Sequence, residues 1–105
     1  MDDQLKFHYD EDRIWLEDED GHETACVEFP EVEPGIVNIR HTWVDESLAG
    51  QGIASRLIRE VTEVLRVEGK RALVTCGYAQ SWFSDHMEYL FLLVEPEDQE
   101  DVRHI

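Results

Sequence analysis

A chain of 105 residues is sized for one domain with one hydrophobic core. Its 25 acidic against 9 basic residues leave a formal charge of −16 at neutral pH, which repels a phosphate-backbone partner and excludes nucleic acid. No run approaches the ~20 apolar residues that span a bilayer.

Met1-Asp2-Asp3-Gln4 lacks the basic-then-apolar order of a secretory signal, so a cytoplasmic location is expected. The carboxylates are spread over both termini, the turns and the helix flanks, as general solvation requires. Such a surface suits a high-salt, halophile-like cytosol, because the Debye length falls from ~10 Å at 0.1 M salt to ~3 Å at 1 M. The competing reading is a field that draws in a cationic acceptor. Cys26 and Cys76 fall in different predicted strands and are expected as reduced thiols. Neither has a second Cys or a His at zinc-ligand spacing, so no metal site is expected.

Leu5–Tyr9 and Ile14–Leu16 alternate around Asp10-Glu11-Asp12 and read as two strands. Asp20-Gly21 signals a hairpin. His22–Phe29 follows as a third strand with Ala25, Val27 and Phe29 on one face, and Pro34-Gly35 makes the next turn. Gly35–Val44 reads as one long central strand, with Val37, Ile39, His41 and Trp43 sharing a face. A loop from Asp45 to Gly52 leads into a helix marked by Ile53, Leu57, Ile58, Val61, Val64 and Leu65 and stopped by Gly69. Ala72–Cys76 is a buried strand that completes a β-α-β unit, which makes its two strands parallel. A last helix is expected from about Ala79, using Trp82, Phe83, Tyr89, Leu90 and Leu93, and ending at Pro96.

The order is β-β-β-β-α-β-α: an α+β fold with a mostly antiparallel sheet and one parallel step. The domain is expected over residues 1–94, with 95–105 as an acidic tail.

Gly50-Gln51-Gly52 lies between a strand and a helix, where glycines let backbone approach an anion and free N–H groups at a helix start face it. The same two glycines also make an ordinary tight turn. The loop lacks the Gly-Lys-Ser/Thr ending of a P-loop and the third glycine of a dinucleotide fingerprint. In a parallel pair the strand ends and the helix start lie together, which places His41, Cys76 and Tyr78 around one cleft.

Taken in order, His41-Thr42-x-Val44, Gly50-Gln51-Gly52-Ile53-Ala54, Cys76-x-Tyr78 and His86-x-Glu88-Tyr89 resemble the small, single-domain branch of the GNAT N-acetyltransferases, over residues 36–93. The resemblance implies acetyl-CoA as cofactor, with its pyrophosphate on Ala49, Gly50, Gln51, Gly52, Ile53 and Ala54. It also implies that the fourth strand, at Trp43 and Val44, pairs with the pantetheine arm where the fourth and fifth strands splay apart. An amine, either a protein lysine or N-terminus or a small molecule, is then the acceptor; the alternative is a non-catalytic acyl-CoA-binding or regulatory module.

For amine transfer His41 is the candidate base, against a packed histidine of the same strand face. Backbone N–H groups near Trp43 and Val44 would face the oxyanion. Cys76 is either an acyl-accepting nucleophile or a wall of the cleft, and direct transfer is the preferred route. Tyr78 is the candidate acid, because Trp82 and Phe83 occupy the region where many family members carry a helix tyrosine. Ser47 stands where the family loop begins with Arg or Gln. Arg56 and Arg59 face a choice between the ribose phosphate and helix pairs with Glu60 and Glu63, the pairs being preferred.

Overall fold

Turn chemistry and alternation first produce a meander. In the computed structural model, which describes residues 6–94, β1 (Phe7–Tyr9), β2 (Arg13–Glu17) and β3 (Glu23–Glu28) run antiparallel in sequence order. The β2–β3 turn closes with Asp18 N–H on His22 O and Gly21 N–H on Asp18 O, and Gly21 takes the left-handed φ of 85° that such a turn demands. Leu5 and the acidic tail 95–105 lie outside the described residues.

Strand alternation sends Ile14 and Leu16 of β2 and Ala25 and Val27 of β3 to one face, where all are buried. That face is covered by α1 (Ile53–Glu68), whose stripe of Ile53, Leu57, Ile58, Val61 and Leu65 is buried in turn. Full burial of a side chain such as Leu57 contributes about 1.5–3 kcal/mol. At the far end Gly69 adopts φ 69°, with its N–H on Arg66 O and the Lys70 N–H on Leu65 O, a Schellman stop.

The expected long strand is broken in two. β5 (Ile36–Ile39) pairs parallel with β7 (Arg71–Val74) and antiparallel with the short β4 (Glu31–Glu33), while β6 (His41–Val44) pairs with β3. Two sheets result, β1-β2-β3-β6 and β4-β5-β7. The break is a β-bulge: His41 registers with Glu28, yet the Arg40 N–H also donates to Glu28 O at 3.1 Å, so two residues oppose one. β4, between Pro30 and Pro34, is a strand that the sequence reading did not include.

The bulge also corrects the face assignment. Val37 and Ile39 are buried as expected, but the extra residue reverses the phase, leaving His41 and Trp43 exposed and Thr42 and Val44 turned toward the core side. His41 is therefore not a packed core histidine.

After β7, α2 spans Gly77–Asp85 and packs Ala79, Trp82 and Phe83 inward. The single last helix that the apolar spacing suggested ends early. His86 leaves helical geometry at φ −132° and ψ 66°, and a 3-10 turn covers Met87–Leu92. Leu93 then bridges Ala72 on the outer edge of β7, and the Val94 N–H donates to Ala72 O. No helix among the described residues is long and apolar enough to cross a membrane.

Candidate functional site

The parallel ladder between β5 and β7 stops at Ile39 and Val74. There the Ile39 carbonyl accepts from both the Thr75 and the Cys76 N–H, at 3.1 and 3.2 Å. Beyond this shared acceptor the strands part, since β6 follows β3 and the chain after β7 turns into α2.

Which amides face the gap follows from the ladder's parity. The Asp45 N–H donates to Thr24 O, so the alternate positions Trp43 and His41 direct their backbone groups to β3. Thr42 and Val44, between them, direct theirs to the open side. The free backbone edge is thus carried by Thr42 and Val44, while Trp43 offers a 40% exposed indole on the outer face.

At the head of the gap stands the glycine loop. Gly50 and Gly52 have φ of 82° and 74°, and Gly52 is the N-cap of α1 with no side chain capping the helix. The first helical bond runs from the Arg56 N–H to Gly52 O, so the amides of Ile53, Ala54 and Ser55 precede the helix's own ladder. No acidic residue occupies that first turn. Donors of this kind, at the positive end of a helix dipole, are built for an anion. Ala49, Gly50, Gln51 and Gly52 are exposed, Ala54 is half-buried, and Ile53 anchors the loop in the core.

Ser47 adds no donor to this cradle. Its N–H and hydroxyl both bond the Asp45 carboxylate, at 3.0 and 2.6 Å, which holds that carboxyl below its usual range. The two arginines are also committed elsewhere. Arg56 lies over the Phe7 ring and Arg59 over Trp82 and Tyr89. Neither forms its expected helix pair, because Tyr9 bonds Glu60 and Arg66 bonds Glu63.

The three candidate catalytic side chains divide between two faces. Cys76 is half-buried, and its thiol donates to the Thr42 hydroxyl at 3.4 Å, on the helix side of β6. Tyr78 stands in the first turn of α2. Burial pushes its phenol above the ordinary value, and the Ser55 hydroxyl of α1 pulls the other way. His41 projects from the opposite face, in register with Glu28, whose carboxylate is held by Arg40 at 3.0 Å. The three therefore do not line one wall.

Sequence reasoning did not single out Ser55, which also accepts the Trp82 indole N–H at 2.7 Å. Nothing in its spacing marks it. An apolar groove of about 430 Å³ beside Ala72, Phe83, Met87 and Leu90 was missed too, and none of the candidate site residues line it.

A helix start that cradles an anion, opening onto an unpaired strand edge, defines a protein that binds a long phosphate-bearing ligand along a β gap. The sequence profile of the GCN5-related N-acetyl-transferase family matches residues 13–92, and the chain belongs to that family. Acetyl-CoA is the family's co-substrate.

Protein NATD1 from Bos taurus is 32% identical over 65 residues, which is 62% of this chain and 58% of the cattle protein; the mouse protein is 29% identical over the same length. The match thus spans little over half of those relatives. Among solved structures, a GCN5-like chain from Staphylococcus aureus superposes with a TM-score of 0.72 at 23% identity, covering 87% of this chain and 89% of that one. A GNAT family N-acetyltransferase from Escherichia coli, solved with CoA, gives a TM-score of 0.54 at 25% identity over 59% of this chain and 38% of its own.

Proposed function

We propose that this chain transfers acetyl from acetyl-CoA to an amine by direct attack. The observation that carries the reading is the gap itself. An uncapped, glycine-turned helix start lies at one end, and the unpaired backbone edge of Thr42 and Val44 runs on from it.

Acetyl-CoA, when bound, supplies an acetyl thioester. The amides of the glycine loop and of Ile53 and Ala54 hold its pyrophosphate. The edge at Val44 pairs with the extended pantetheine arm, and the Thr42 amide stands ready for the carbonyl oxygen as it gains charge.

Direct transfer passes through a tetrahedral intermediate that needs a base at the attacking nitrogen and an acid at the leaving sulfur, and the two faces supply one each. His41, on the outer face, takes the proton shed by the amine as the N–C bond forms. Tyr78, on the helix side, gives its phenol proton to the sulfur as the C–S bond breaks. Exchange with water restores both. Cys76 has the Thr42 hydroxyl as its partner and, among the described residues, no imidazole bonded to it, so it shapes the wall of the gap.

Thermal shift with acetyl-CoA in molar KCl, followed by mass spectrometry of peptide, polyamine and amino-acid mixtures, tests cofactor and acceptor together. His41→Ala is expected to cut turnover by about 10²–10⁴-fold while leaving the acetyl-CoA thermal shift intact. Unchanged acetylation by His41→Ala rejects the base assignment. A thermal shift with no amine accepted favours the acyl-CoA-binding module.

A further inference from the structure

Resting on the reading of His41 as the base, we propose that Trp43 selects the acceptor: its exposed indole seats a second positive charge, so the preferred substrate is an extended polypeptide with an arginine or lysine two positions from the reactive lysine.

The outer face of the four-stranded sheet carries one row straight across its strands, with His8 opposite Trp15, Trp15 opposite Cys26 and Cys26 opposite Trp43. Within that row one indole already holds a cation. The Arg13 guanidinium lies 4.6 Å over the Trp15 ring and is tied to Glu23 at 2.6 Å, while His8 stacks on the same ring at 5.5 Å. Trp43 has an indole of the same kind, 40% exposed, and among the described residues no cation or aromatic ring meets it. The carboxylates of this face are taken: Glu17 by the Trp15 indole N–H at 2.8 Å, Glu23 by Arg13, and Glu28 by Arg40. The open seat for a positive group is therefore a π face rather than an anion.

Spacing then selects the ligand. Trp43 follows His41 by two residues on one strand face, a step of about 7 Å. Alternate residues of an extended peptide repeat at that step on one side, so a lysine delivered to His41 brings its second neighbour over Trp43. The row lies on an open sheet face instead of in the concavity that a small molecule needs. A net charge of −16 draws a basic chain toward it.

The test uses N-terminally blocked peptides with a single lysine and a single arginine placed two positions after it, two before it, or one after it, so that charge is matched. Acetylation is read by thiol release, and binding to the CoA-loaded protein by the anisotropy of labelled peptides. Arginine two positions away, in at least one direction along β6, is expected to lower KM about two- to fivefold against arginine one position away, the worth of a cation on an exposed indole. Trp43→Ala and Trp43→Leu erase that ratio, and Trp43→Phe, which keeps a π face, retains part of it. If Trp43→Ala fails to fold, the Leu and Phe variants decide. Equal KM for the charge-matched peptides in the wild type overturns the proposal, as does a ratio that survives in Trp43→Leu. Acetylation of spermidine but of no peptide assigns the site to a small polyamine and overturns it too, as does a failure of every peptide both to bind and to be acetylated. A positional preference in binding with no peptide acetylated instead rejects the amine-transfer reading and leaves the Trp43 seat standing.

Discussion

The Cys76 thiol donates to the Thr42 hydroxyl across 3.4 Å, joining the two chain segments that separate after Ile39 and Val74. In the proposed reading the contact lies beside the thioester, and it gives the thiol a hydroxyl partner in place of a base. Cys76→Ser is therefore expected to keep kcat within about threefold, the scale of one neutral hydrogen bond. Intact-protein mass spectrometry with acetyl-CoA and no amine checks the chemistry directly. An acetylated protein that discharges on adding amine would replace direct transfer with a two-step route.

Gly52 and Gly69 separate binding from stability. Both hold left-handed φ, 74° and 69°, and an added Cβ at either meets nothing within 4 Å, so alanine costs backbone strain alone. That strain is roughly 1–2 kcal/mol at each. Both alanine variants should lose a similar amount of melting temperature. Only Gly52→Ala, at the anion cradle, should also lose the thermal response to acetyl-CoA. Equal responses in the two variants would remove the glycine loop from the cofactor site.

The features legible in the sequence were those written locally. Gly21 and Gly69 occupy backbone positions that glycine fills at least cost, and the Ile53-to-Leu65 stripe has one period and one face. The β-bulge is not local. Residues 36–44 hold no Gly or Pro to mark a break, and only the partner strand, through Glu28 meeting both Arg40 and His41, shows that a residue has been inserted. That is why His41 and Trp43 were placed with Ile39 and emerged on the other side. The break at His86 carries no Gly or Pro either; it follows from the ring's stack on Trp82 and its bond to the Trp82 carbonyl. In the site, the loop and the strand ends were readable because βαβ topology fixes where they meet. The link from Trp82 to Ser55 joins two helices and has no signature in either.

Tyr9 ties β1 to α1 through Glu60, and it should give the fold an alkaline limit. Burial, then the hydrogen bond and charge of Glu60, push its phenol from 10.0 up to about 12. The folded value lies above the unfolded one, so the stabilisation is complete below pH 10 and is lost as pH climbs toward 12. Tyr9 is 51% exposed, so solvent screening keeps the effect small. Denaturant midpoints of the wild type and Tyr9→Phe should differ at neutral pH and converge by pH 12. A constant offset across that range would show packing alone.

Charge supplies the last prediction, because the described cations do not neutralise this surface. Arg13, Arg40, Arg66 and Lys70 each hold a carboxylate, on the surface or near it, while the chain as a whole carries 25 acids. Exposed pairs of that kind are worth about 0–1 kcal/mol each, and salt weakens them. Salt also screens the repulsion of a net charge of −16, which acts over many more pairs. The two effects oppose, and the excess of acids decides the sign: stability should rise from 0.1 M to 1 M salt as the Debye length falls from ~10 to ~3 Å. Each 1 kcal/mol of relieved repulsion lifts the melting temperature by roughly 4–8 °C for a domain near this size. Melting curves in KCl and NaCl should rise together, as screening by ionic strength requires. A fall with added salt would mean that the ion pairs outweigh the repulsion, and the acidic surface would then need the other explanation, a cationic acceptor drawn to the gap.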